Sequence, residues 1–194
     1  IFCFPWLTGL IIQNNYDSPT STIKVKIVQP NISLNEKREN LQKSLLKLID
    51  LSTSSSNDST DIIIWPESSI SNHFLINNNY NDKISSDMNN FLKNGKINLV
   101  AGLESKYDGN RFNSSVFFNG DSIANIYHKI RLVPNVEHTP EFFNKIGVKF
   151  GLTNFSIGNE LTMFSINNIP FSSMICIESI FPYPTKSFVK NGAE

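Results

Sequence analysis

Three residues with complementary chemistry each follow a short apolar run. Ile62-Ile63-Ile64-Trp65-Pro66 leads to Glu67, Ile123-Ala124-Asn125-Ile126-Tyr127-His128 leads to Lys129, and Phe171-Ser172-Ser173-Met174-Ile175 leads to Cys176. Apolar runs of this length read as buried strands. In layered α/β folds, reacting groups gather at the carboxyl ends of strands. A carboxylate, an ammonium and a thiol delivered there can act as base, oxyanion stabiliser and nucleophile. A thiol with a pKa near ~8.5 is mostly protonated at neutral pH and needs a base or a cation beside it. A solvated glutamate, pKa ~4.3, is a poor proton acceptor, so Glu67 is expected to be buried beside its apolar run. An ammonium fixed in a water-poor site stabilises developing negative charge far better than one in water. Each residue also has a plainer reading: Cys176 as a small core hydrophobe, Glu67 as a cap, Lys129 as a surface lysine.

Those runs need elements to hold them. Residues 23–29 alternate and then turn apolar, as a first strand does. Residues 35–51 carry Leu41, Leu45, Leu48 and Ile49 at helical spacing, and residues 82–94 carry Ile84, Met88, Phe91 and Leu92 on one side. Strands are expected at 62–65, 97–102, 116–118 and 123–127, with loops at 52–60 and 71–81. Tyr107-Asp108-Gly109-Asn110 reads as a turn and Asn119-Gly120-Asp121 as a hairpin. Residues 161–166 and 171–177 are expected to pair as strands around Asn167-Asn168, before a final helix at 184–191. This order gives an α/β fold.

The motifs around the three reactive residues are more specific than their spacing. Trp65-Pro66-Glu67-Ser68 and Ile175-Cys176-Ile177-Glu178-Ser179-Ile180-Phe181-Pro182 resemble the base and nucleophile motifs of the nitrilase (carbon–nitrogen hydrolase) superfamily. Tyr127-His128-Lys129-Ile130-Arg131-Leu132-Val133-Pro134 resembles the lysine motif of its membrane branch, the apolipoprotein N-acyltransferases. Val28-Gln29-Pro30-Asn31-Ile32 resembles that branch's first strand and turn. The resemblance runs from about Ile23 to the last residue.

It implies a nitrilase-like four-layer α-β-β-α sandwich over residues 23–194, truncated at its C-terminal end, behind a membrane-proximal stub and linker at 1–22. It implies Glu67, Lys129 and Cys176 as the catalytic set, with Glu137 and Glu178 supporting them. The implied reaction moves an acyl chain from a phospholipid, through a cysteine thioester, to the N-terminal amine of a diacylglyceryl-cysteine lipoprotein. The implied setting is the bacterial inner membrane, with this domain facing the periplasm. No cofactor is implied. The sequence departs from the branch at Asn135-Val136 before Glu137, where Phe-Gly is usual. It departs again at His138 and Ile177, where Tyr is common. These changes bear on the substrate pocket. The main alternative is a soluble nitrilase-type amidase with the same triad and water as acceptor. A binding domain without catalysis is disfavoured by the intact Glu67, Lys129 and Cys176.

The totals agree with one globular domain. The chain has 194 residues, 40% apolar and 18% charged, with zero formal net charge. That balance gives no argument for nucleic acid as a partner. The two cysteines, Cys3 and Cys176, form no metal spacing, and a bridge between them would consume the nucleophile. His73, His128 and His138 do not make a ligand set, so no metal is expected. Residues 1–12 are apolar but too few to span a bilayer, which takes ~20. Residues 135–155 hold Phe142, Phe143, Ile146, Val148, Phe150, Leu152 and Phe155 with Lys145 and Lys149. That mixture is expected to form a lid that dips into lipid.

Overall fold

A computed structural model describes residues 3–15, 22–54, 59–75, 83–139 and 153–194. Most of the lid expected at 135–155 lies outside these residues.

Five strands run side by side in the order β1 (Val25–Ile27), β2 (Ile62–Ile64), β4 (Asn98–Tyr107), β5 (Asn110–Asn119) and β6 (Ser122–His128). β1, β2 and β4 are parallel, while β5 and β6 return antiparallel. A sixth strand, β3 (Ile70–Leu75), pairs with the later part of β4. Residues 76–81 lie outside the described residues, and this strand corrects the first part of the loop expected at 71–81. Ser69 explains it: its backbone N–H and its hydroxyl both donate to the Gly102 carbonyl, at 2.7 and 2.8 Å, and so pin the chain against β4.

The two faces of the sheet follow the two-residue period of its strands. Ile63, Leu99, Ala101, Leu103, Val116 and Phe118 face one side, where Leu45 and Leu48 of α3 (Leu41–Thr53) and Met88, Phe91 and Leu92 of α4 (Lys83–Gly95) cover them. Ile62, Val100, Phe117 and Tyr127 face the other side. A two-stranded sheet, β7 (Phe164–Ile166) and β8 (Ile169–Phe171), and the last helix α5 (Pro182–Lys190) cover that side. Phe117 stacks on Phe164 at 5.7 Å, and Tyr127 meets Phe188 edge-on at 5.8 Å. Helices, sheet and second β layer thus follow one another as in the expected nitrilase-like α/β fold. Each large side chain buried this way contributes about 1.5–3 kcal/mol.

Several boundaries differ from the sequence expectation: β4 and β5 are each ten residues long, well beyond 97–102 and 116–118, and two further differences have clear causes. The helix at 35–51 is two helices, α2 (Leu34–Glu39) and α3, broken at Asn40. The Asn40 side chain accepts from the Lys43 N–H at 2.9 Å, so it caps α3 instead of continuing α2. Ser33 caps α2 in a reciprocal box with Glu36. The strand expected at 171–177 ends at Phe171, and a short 3₁₀ helix, Cys176–Ile180, carries the cysteine. The hairpin itself holds: Asn167 and Asn168 both have positive φ, as a tight two-residue turn requires.

The first helix, α1 (Cys3–Asn14), has no buried residue. Its 12 residues span about 18 Å at 1.5 Å per residue. No helix among the described residues is long and apolar enough to cross a membrane.

Candidate active site

Glu67 leaves the sheet on a tight turn. Trp65 is held down by its backbone bond to Val100 and by an indole N–H bond to Ser52 Oγ at 2.9 Å. Pro66 ends the pairing, and Ser68 takes a left-handed conformation at φ 51°. Gly102 makes the turn possible. A Cβ there would come within 2.5 Å of Glu67 Cα and 2.6 Å of the Pro66 carbonyl oxygen, so only glycine lets β4 run beneath this backbone.

The expected burial of Glu67 is not what the fold provides. Its side chain keeps 36% of its exposure, because Trp65 turns under the helix layer while Glu67 points out of the strand end. Lys129 instead is the buried member, at 1% exposed. It follows β6 directly. Its backbone N–H donates to the Asn113 carbonyl and its own carbonyl accepts from Gly158, both at 2.9 Å.

Three carboxylate contacts surround the ammonium. Lys129 Nζ lies 2.9 Å from Glu137 Oε2, 3.0 Å from Glu137 Oε1 and 3.4 Å from Glu67 Oε1. Glu137 sits in a turn closed by Asn135 and His138, and its Oε2 also accepts from the Val133 N–H at 2.8 Å. Burial alone would push the Glu137 carboxyl up. The Val133, Lys129 and Asn113 donors outweigh it and hold the group below its ordinary value. Both Glu137 oxygens are therefore committed, which suits it to fixing Lys129 and not to moving protons. Glu67 is the looser of the two carboxylates.

Cys176 is exposed and not disulfide-bonded, as is Cys3. It has φ 52°, a left-handed conformation that costs a non-glycine residue about 1–3 kcal/mol. Glu178 holds that conformation. Its Oε2 accepts from the Ile175 N–H at 2.8 Å, and its Oε1 accepts from the N–H groups of Ile130 and Arg131 and from the Tyr127 hydroxyl. One fully buried carboxylate thus ties the residue before Cys176 to the two residues after Lys129. Burial first, and then Glu178, push the Tyr127 phenol far above its usual range, so it stays a donor. The structure brings Glu67 and Glu137 into contact with Lys129, and Glu178 ties the backbone just before Cys176 to the backbone just after Lys129.

Sequence reasoning passed over three residues here. Asn113 bridges Glu67 and Glu137 through its amide. Tyr127 braces Glu178. Lys37, half-buried on α2, lies close enough to Glu67 to feel its charge; burial lowers its pKa and Glu67 opposes that. Only Tyr127 left a signal, as a polar-tipped residue closing an apolar strand. Among the described residues, no three of His, Cys, Asp or Glu are placed to hold a metal ion.

His128, next to Lys129, stacks on Phe112 at 4.2 Å and places Nδ1 2.8 Å from Ser114 Oγ. Burial lowers its pKa, partly offset by Glu160. The unfolded chain therefore takes up a proton near pH ~6.5 that the folded chain resists, and stability falls as pH drops below that value. The depressed Glu137 carboxyl adds a second loss only below ~4.3. Thermal unfolding of the full-length protein between pH 7.5 and 5.5 is expected to show the first decline, and His128→Gln to flatten it.

The family profile described as Carbon-nitrogen hydrolase matches residues 24–194. This chain belongs to the carbon–nitrogen hydrolase family. Among curated proteins it is similar to the apolipoprotein N-acyltransferase of Thermotoga maritima, at 29% identity over 89% of this chain and 32% of the relative. The protein of the same name from Wigglesworthia glossinidia brevipalpis is 32% identical over 86% of this chain and 35% of the relative. The chain spans about a third of the length of these relatives. Among solved structures, Saccharomyces cerevisiae Nit3, a member of branch 10 of the nitrilase superfamily, superposes with TM-score 0.62 at 21% identity. That match covers 88% of this chain and 61% of the other. A mutant amidase from Nesterenkonia sp., with an acetamide moiety added covalently to its active site cysteine, superposes with TM-score 0.63 at 14% identity. It covers 93% of this chain and 65% of that one. At these identities the structures bear on the fold of this carbon–nitrogen hydrolase domain alone.

Proposed function

We propose that this carbon–nitrogen hydrolase domain is the catalytic part of an N-acyltransferase. It would take an acyl chain from a phospholipid and deliver it to the N-terminal amine of a diacylglyceryl-cysteine lipoprotein. The observation that carries the reading is a buried ammonium, Lys129, gripped by Glu137 and touched by Glu67, with an exposed thiol on a strained turn tied to the same strand end. The similar curated proteins are named apolipoprotein N-acyltransferases, which supports acyl transfer to a lipoprotein amine; the phospholipid donor and the diacylglyceryl-cysteine acceptor are what the motif resemblance implies.

In the first half-reaction Glu67 takes the proton of Cys176, and the thiolate attacks the ester carbonyl of the donor. Lys129 stabilises the oxyanion. Its contact with Glu67 is the longest of the three, so that N–H is the one free to turn toward substrate. The acyl C–O bond breaks, Glu67 returns the proton to the leaving alcohol oxygen, and a thioester remains. In the second, the lipoprotein amine attacks the thioester carbonyl and loses a proton to Glu67. The C–S bond breaks, and Glu67 reprotonates the departing thiolate. Glu137 holds Lys129 throughout, and Glu178 holds the cysteine turn. The setting that goes with this chemistry is the bacterial inner membrane, with the domain on the periplasmic side and residues 1–22 next to the bilayer.

Full-length protein incubated with phospholipid is expected to carry one acyl group on Cys176, seen as a mass shift that hydroxylamine removes. Cys176→Ser abolishes it, because a hydroxyl has a much higher pKa than the thiol this site deprotonates. An acyl group that maps to Cys3 rejects the assignment. Hydrolysis of a small amide without transfer to a diacylglyceryl-cysteine peptide favours the amidase alternative.

A further inference from the structure

The two carboxylates of the site share one neutral side chain. Asn113, on β5 and 3% exposed, donates its two amide hydrogens to Glu67 Oε1 and Glu137 Oε1, each at 2.7 Å. Its Oδ1 is buried with no partner among the described residues. Turning the amide over would set that oxygen against two carboxylate oxygens, so the charges fix its orientation. The fold keeps a buried acceptor unpaired among the described residues, an unfavourable arrangement, and so keeps both donors where they are.

The consequence falls unequally on the two acids. Glu137 uses both oxygens on Lys129, and each also accepts a second donor. Glu67 accepts from Asn113 and Lys129 on Oε1 alone, and its Oε2 accepts no hydrogen bond among the described residues. We propose that Asn113 is a positioning residue that occupies Oε1 of Glu67, holds that carboxylate in place beside Glu137, and leaves Oε2 as the atom that receives the Cys176 proton. This rests on Glu67 being the base. Among the described residues, the charged groups that face the two glutamates are Lys129 from the end of β6 and, toward Glu67, Lys37 from α2. Without Asn113, the two like charges lose their shared donor, and a proton settles on one of them at higher pH than before.

The test is the rate of Cys176 alkylation by iodoacetamide from pH 5 to 9, in full-length protein carrying Cys3→Ser. Asn113→Ala is expected to move the acid limb of the profile up by about one pH unit. That is about tenfold slower labelling on the limb, with the alkaline plateau unchanged. Asn113→Asp, which adds a third acid and no donor, moves the limb further. Asn113→Ser serves if the aspartate variant does not fold, and thermal unfolding checks each. A plateau lowered evenly with the limb in place makes Asn113 merely structural and overturns the proposal, as does an unchanged profile. Glu67→Gln separates the two readings. If it labels like the parent, the base assignment has failed. If it labels slowly while the Asn113 variants match the parent, Asn113 alone has.

Discussion

Lys129→Met is expected to lose both stability and turnover, by separable amounts. The ammonium is 1% exposed and sits against two carboxylates. Removing one partner of a buried ion pair while leaving the other costs about 3–5 kcal/mol. Among the described residues, Glu137 is left with the Asn113 and Val133 donors, and Glu67 with the Asn113 donor and the more distant charge of Lys37. One carboxylate takes up a proton in response, which softens the loss at acidic pH. Urea unfolding at pH 5 and pH 7.5 is therefore expected to show a smaller difference from the parent at pH 5. Turnover falls further, by about 10²–10³-fold, as it does when one preorganised oxyanion donor is removed. Thioester formation on Cys176, measured in the folded fraction, reads that second loss. A Lys129→Met protein that acylates at the parent rate would remove Lys129 from the chemistry and leave it a core ion. Lys129→Arg does not rescue, since a planar fork cannot fill a site shaped for a compact ammonium.

Glu178→Gln is the second large effect. The substitution keeps the volume and one acceptor, but it puts an NH₂ where an oxygen stood. Oriented to keep Tyr127, Ile130 and Arg131 on its oxygen, the amide turns two hydrogens toward the Ile175 N–H. Oriented the other way, it faces three donors. Either choice leaves a buried donor without an acceptor, about 1–3 kcal/mol. The strain at Cys176 then loses the carboxylate that ties Ile175 to β6, and the turn, left with the Ser179 hydroxyl on the Cys176 carbonyl, is expected to relax out of the left-handed region. Acylation is expected to drop more than a hundredfold, while reaction of the thiol with a small reagent stays measurable, because Cys176 remains exposed. Parent-level acylation would mean that the turn is held by something other than this carboxylate.

Much of the fold was legible because strand and helix periods were clean. Val116, Phe117 and Phe118 alternate between two cores, and Leu45, Leu48, Met88 and Leu92 fall on helical faces. What was not legible depended on single polar atoms. Asn40 reads as one more helical residue until its side chain caps the next helix. Ser69 gives no hint that it fastens a strand to β4. The three reactive residues and the two supporting acids stood out by type and motif, but not how they would be held. The apolar run Ile62–Trp65 suggests an apolar pocket for Glu67. Its turn carries it out of that layer, and the burial falls on Lys129 instead. Asn113 lies in a run, Asn113-Ser114-Ser115, whose polarity suggests a surface. Only the pairing of β5 between β4 and β6 puts it under two glutamates.

The contrast between the chain's two indoles has an optical consequence. Trp65 is 2% exposed, stacked on Phe91 at 5.5 Å, and two residues from Glu67. Trp6, on the uncovered α1, is 74% exposed. Their emission should separate into a short-wavelength component that survives aqueous quenchers and a long-wavelength one that does not. Added vesicles that take up α1 would shift the second and spare the first, whereas unfolding of the domain would move the first. A single cuvette could then follow the bilayer and the catalytic layer as independent signals, with no label attached.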